Sequence, residues 1–153
     1  MADENGDVGI VAGEQLLIQI GDGASPEEFV HSCLINTSRG VTFTSNLTET
    51  EVRNCTDPSL PAKIVRKVKS IDFKPEGAGK TDATSVWAFI EWWKSGLPKN
   101  CKVVQNLTGA LGGWTGTGQL ILAEFKTEGE AGDYQNFTAS FAPAGVFEWE
   151  QND

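Results

Sequence analysis

The segment Lys74-Pro-Glu-Gly-Ala-Gly-Lys-Thr81 holds the residue types of a phosphate-binding loop. In such a loop glycine N–H groups surround the phosphates, while Lys and Thr meet phosphate and magnesium. Two features speak against that chemistry here. The opening glycine is replaced by Lys74, and the chain reads as about eight strands and one helix, not as the parallel βαβ units the loop requires. A Gly-rich turn from strand to helix is the expectation. His31 is the only histidine, so at most one imidazole base is available, and no Gly-X-Ser-X-Gly elbow accompanies it. Alternating with apolar neighbours, it is expected to be a packed or interface residue. The pairs Glu128/Glu130 and Glu148/Glu150 have residue types that can flank a glycosidic bond. They lie in acidic clusters near turns or the C-terminus, where a solvated face is the ordinary role. Cys33, Cys55 and Cys101 are odd in number and match no zinc spacing, so reduced structural thiols are expected. No catalytic, cofactor-binding or metal-binding set emerges, and the chain is not expected to be an enzyme.

The elements that position these residues belong to one chain of 153 residues, a length that fits a single domain. Twelve Lys+Arg against 21 Asp+Glu give a net charge of −9, which disfavours non-specific adhesion to DNA phosphates. Mean hydropathy is −0.24, and no apolar run approaches the ~20 residues of a membrane span. The opening MADENGDVGIVAGEQ lacks the basic and apolar regions of a signal peptide, so export is not expected. Charge is divided along the chain. Residues 1–30 and 124–153 hold seven acids each, whereas residues 63–102 hold nine of the twelve bases. Subunits meeting acidic face to basic face would gain registration from that division.

Apolar and β-branched runs predict strands at Glu14 to Ile20, Phe29 to Asn36, Val41 to Ser45, Ala62 to Phe73, Cys101 to Leu107, Gly118 to Phe125, Tyr134 to Phe141 and Val146 to Trp149. Turns are expected at Gly21 to Gly23 and at Ser38 to Gly40. In Ala62 to Phe73 both parities carry apolar residues, so neither face is simply solvated. A helix is expected over residues 82–95, with Val86, Phe89, Ile90 and Trp93 at i, i+3, i+4, i+7 packing on the sheet. Trp87 and Trp92 fall off that stripe and either finish the core or mark a subunit contact. An N-terminal arm is placed at about 1–12. The segment 47–61 is expected to be a long loop joining two strands, of a length usually tied to function.

The order of features resembles a known family. Cys55-Thr-Asp-Pro58 ends the long loop, Gly77-Ala-Gly79 follows a long strand, and a Trp-rich helix runs Trp87 to Trp93. Then come Lys99-Asn-Cys-Lys-Val-Val104, Gly116-Thr-Gly118, Glu128-Gly-Glu130 and a terminal aromatic strand. Over roughly residues 10–150 this is similar to the major tail tube proteins of long-tailed double-stranded DNA bacteriophages. The resemblance implies a mainly β fold, a β-sandwich or barrel-like domain with one flanking helix, whose inner strands join a shared barrel in a hexameric ring. It implies a structural virion protein, made in the host cytoplasm, whose rings stack into a hollow tube that conducts phage DNA. It also implies self-assembly, tape-measure, tail terminator and distal tail proteins as partners, and DNA passing without specific binding. No cofactor and no membrane are implied. The long loop would reach a neighbouring ring or subunit, with Thr48, Glu49, Glu51, Arg53 and Asp57 as candidate contacts. The alternative is a soluble β-sandwich binding module, for carbohydrate or a host receptor, with Trp114 and Trp149 as stacking platforms.

Overall fold

The computed structural model describes residues 9–23 and 26–153. The expected N-terminal arm therefore lies largely outside the described residues. Eight strands occur in the order β1 (Leu16–Gly21), β2 (Phe29–His31), β3 (Ser38–Val52), β4 (Lys63–Lys80), β5 (Lys99–Gln105), β6 (Trp114–Glu128), β7 (Asn136–Pro143) and β8 (Glu148–Gln151). The helix α1 (Val86–Ser95) falls between β4 and β5. Strand residues dominate, as expected of a mainly β chain with one α-helix. Thr42–Phe73, the distal parts of β3 and β4, form one compact unit. The other comprises the described residues up to Val41 together with Lys74–Asp153.

In the larger unit β6 is the shared strand. Its first half pairs antiparallel with β5 along one edge, Trp114 opposite Gln105 to Leu120 opposite Lys99. On the other edge it pairs first with β8, Trp114 opposite Gln151, and then with β7, Leu120 opposite Pro143 to Glu128 opposite Asn136. The change of partner falls between Thr117 and Leu120, and a register shift between Leu122 and Glu124 follows within the β6–β7 pairing. An extra residue bends and twists a strand at such a point, which curls the sheet along β6 and β7. The hydrogen-bonded order is β2-β1-β5-β6-β7-β4-β3, with β8 on β6. The expected sandwich is therefore built as one continuous sheet.

The core follows from period-two alternation. Phe137, Ala139 and Phe141 of β7 are buried with Leu120 and Leu122 of β6, Cys101 and Val103 of β5, and Ile18 of β1. Removing each large apolar side chain from water stabilises by about 1.5–3 kcal/mol. Leu34 and Ile35 are fully buried and come from a 3-10 turn, Cys33–Ile35, where a strand through Asn36 was expected. That turn explains the glycines of β4. A Cβ on Gly77 would lie 2.7 Å from the Ile35 Cβ, and one on Gly79 would collide with the Leu34 carbonyl oxygen. Gly77-Ala-Gly79 is thus strand, paired with β7 from Glu76 opposite Ser140 to Lys80 opposite Asn136. The expected strand-to-helix turn there is overturned, because glycine is used for close approach and not for chain reversal. Residues 38–40, likewise expected to turn, are the start of β3.

The helix begins four residues later than expected. Asp82 accepts hydrogen bonds from the Thr84 N–H and the Ser85 hydroxyl and holds a preceding turn. Those bonds, chiefly that from Ser85, hold its carboxyl below the ordinary carboxylate range. Gly96 ends the helix at φ 66°, a left-handed conformation open to glycine, and its N–H meets the Trp92 carbonyl. The C-terminus is tied down by Asn152. Its amide donates to the carbonyls of Leu107 at 2.7 Å and Gln105 at 3.0 Å, and its oxygen accepts from the Thr115 hydroxyl at 2.6 Å.

Candidate assembly surfaces

Four residues were expected to seat α1 on the sheet, and the structure rearranges them. Phe89 is buried and meets Phe125, Phe137 and Phe141 edge-to-face, while Val86 and Ile90 are only half-buried. Trp93 is 59% exposed, and Trp92, at 3%, takes the core place. Trp92 stacks on Phe141 and donates its indole N–H to the Leu97 carbonyl at 2.8 Å. The buried line runs through Phe89 and Trp92, one helical step aside from the expected stripe. Val86, Ile90 and Trp93 consequently form a flank beside it, and Leu97, beyond the Gly96 cap, is exposed. Trp87 is also exposed.

The segment 47–61 is a loop only in its second half. Leu47–Val52 continue β3, and the irregular backbone spans 53–62. Strand pairing there rests on cross-strand partners: Phe43 packs near Phe73, Asn46 donates to Ser70 at 2.9 Å, and Glu49 accepts from Arg66 at 2.9 Å. Thr48, Glu49 and Glu51 therefore sit on a strand, whereas Arg53 and Asp57 belong to the hairpin tip. Arg53 pairs with Glu51 at 3.0 Å. The tip is shaped by short polar side chains, as Asn54 accepts from the N–H of Thr56 and of Asp57, and Asp57 accepts from the hydroxyl and N–H of Ser59. The Ser59 hydroxyl, with its N–H, holds the Asp57 carboxyl below the ordinary range. Among the described residues these five candidates are exposed and converge on no common centre.

The more telling residues of this unit are apolar. Ile64, Val65, Val68 and Ile71 of β4 are each more than half exposed, with alternate neighbours on opposite faces. The two-parity pattern signalled them in the sequence; their exposure did not show there. A different surface lies on β4, β7 and β6 of the larger unit, opposite the core. Glu124, Ser140 and Glu76 stand in one cross-strand row, and Lys126, Thr138 and Ala78 in the next. This face is short and polar with both charges interspersed; Lys126 pairs with Glu128, which raises the Lys126 pKa.

His31 is built into the backbone. Its Nδ1 lies 3.0 Å from the Ile18 N–H, its Nε2 lies 3.1 Å from the Ile35 carbonyl, and an Arg39 nitrogen is 3.0 Å from Nε2. Burial pushes its pKa below 6.5, the Ile35 carbonyl opposes this, and the Arg39 charge adds to the depression. Trp114 and Trp149 are in ring contact, and Trp149 lies over Gly116 where a Cβ would intrude. The described residues hold no group of three or more His, Cys, Asp or Glu able to bind a metal.

Known structures repeat this architecture. The chain is similar to a subunit of the tail of an empty gene transfer agent particle refined with C6 symmetry, at 15% identity and TM-score 0.69, covering 92% of this chain and 99% of that one. It is similar to the SPP1 tail tube at 10% identity and TM-score 0.61, covering 94% and 81%. The sheath-tube complex of an extracellular contractile injection system, PVC, matches at 10% identity and TM-score 0.55, covering 93% and 92%. No curated protein matches the sequence. Residues 10–148 match the family described as phage tail tube protein, and the chain therefore belongs to that family, a structural component of the virion and not an enzyme.

Proposed function

We propose that six copies of this chain close into a ring and that the rings stack into the hollow tail tube through which phage DNA passes. The observation that carries the reading is the exposed apolar strand β4, where Ile64, Val65, Val68 and Ile71 leave water only if other copies cover them. Sixfold symmetry of the similar gene transfer agent tail supports the ring number. A head-to-tail contact between identical rings is heterologous and extends without limit, as a tube requires. The hairpin tip at residues 53–62 reaches a neighbouring subunit, with Arg53 and Asp57 as contacts and Thr48, Glu49 and Glu51 bracing it from β3. The tape-measure protein fills the lumen during growth, and the terminator and distal tail proteins bound the two ends. DNA passes without specific binding, because the chain carries −9 and repels phosphate.

Negative-stain microscopy and light scattering of the purified protein test the reading. Rings of six and hollow filaments are expected. A protein that stays monomeric at high concentration would overturn it.

A further inference from the structure

Strand β4 carries Lys63, Lys67 and Lys69, all exposed, with the exposed Val65 and Ile71 between and beside them. The other cations of this unit are committed, Arg66 to Glu49 and Arg53 to Glu51. Among the described residues the three lysines have no carboxylate within ion-pair distance. Strand β8 shows the opposite character. Among the described residues it pairs only with β6, and Trp149 turns onto Trp114 and Gly116. Alternation places Glu148 and Glu150 together on the other face, where both are exposed and unpaired among the described residues.

Same-face residues of a strand repeat at ~6.6 Å, so Lys67 and Lys69 on one strand match Glu148 and Glu150 on the other in spacing as well as in sign. We propose that β4 of one copy docks on β8 of a second copy, Lys67 and Lys69 meeting Glu148 and Glu150. The inference rests on the tube reading and names the contact that joins the copies. A second copy suits the strip better than nucleic acid does, because each copy offers matching carboxylates on β8 and the whole chain's net charge of −9 repels phosphate. Each copy carries both halves, so one contact generates the next.

Four proteins test it: wild type, Lys67→Glu/Lys69→Glu, Glu148→Lys/Glu150→Lys, and the combination of all four changes. Polymer is sedimented across a concentration series at low and high salt, with thermal melting as the folding control and Lys67→Gln/Lys69→Gln as a milder variant. Each charge-reversed pair should raise the concentration needed for polymer by ~10-fold or more, since like charges then face each other. The combined variant should return to near the wild-type value, and salt should weaken the wild-type polymer. If the wild type polymerises and the reversed pairs do so equally well, this pairing is overturned while the tube reading stands. If the combined variant fails to recover, each face meets something else and the pairing is again overturned. Normal polymer with altered DNA retention would assign the lysines to nucleic acid and overturn it too. A wild type that forms no polymer sinks the tube reading itself.

Discussion

Trp92 and Leu97 are joined by a 2.8 Å hydrogen bond from the indole N–H to the backbone carbonyl, which closes the exit of α1 over its own buried ring. Trp92→Ala removes that bond and a ring stacked on Phe141, and should cost about 3–5 kcal/mol of monomer stability. Trp93→Ala should cost less than about 1 kcal/mol, because its ring is mostly in water. Urea unfolding of the two variants side by side distinguishes them.

Gly79 faces the Leu34 carbonyl across a gap that admits no methyl group. Gly79→Ala should destabilise by about 1–3 kcal/mol through overpacking against backbone. Gly40, where an added Cβ meets nothing within 4 Å, should accept alanine without loss. Thermal melting of both substitutions checks the contrast.

Burial pushes the Cys101 thiol up to about 12, so almost no thiolate is present near neutral pH. Cys55 is exposed at the hairpin tip. Alkylation followed by peptide mass mapping should modify Cys55 in the native protein and Cys101 only after unfolding.

His31 has a folded-state pKa below its unfolded value of 6.5, chiefly through burial. The unfolded chain therefore binds the extra proton first, and stability falls as pH drops below 6.5 towards the folded-state value. Above 6.5 the group contributes no slope. Stability measured at closely spaced pH values should show this fall in the wild type and a flatter profile in His31→Gln.

Residues 53–62 close a hairpin whose strands are already paired, so the tip should matter to assembly and little to folding. Replacing 54–61 with a short Gly-Ser link should leave the melting temperature within a few degrees and abolish tubes. Normal tubes from the shortened protein would show the tip to be passive.

The helix and most strands were legible because their apolar periods are strong, but phase and length were not. Seven apolar residues lie within Val86 to Trp93, and they support two adjacent stripes, one through Phe89 and Trp92 and one through Val86, Ile90 and Trp93. Only the sheet beneath selects between them. The polar run Leu47 to Val52 looked like loop because Thr and Glu alternate without an apolar face, yet an exposed hairpin needs none. Gly77-Ala-Gly79 looked like a turn because glycine has two uses, and only the neighbouring Leu34–Ile35 backbone reveals which applies. The assembly surfaces were hinted at by two-sided hydrophobicity and divided charge, signals that identify no particular pair of residues.

The shared strand β6 also dictates an order of events. β1 waits for β5, β4 waits for β7, and both halves converge on a strand that begins at Trp114. Such distant partners make closure slow and late. During synthesis β1 to β5 leave the ribosome before β6 is available, and β8 at Glu148–Gln151 follows β7. A nascent chain exposes its apolar β4 early but lacks the β8 on which β4 of the next copy is proposed to dock. Only a finished chain therefore carries both halves of the contact and can pass growth on to the next copy.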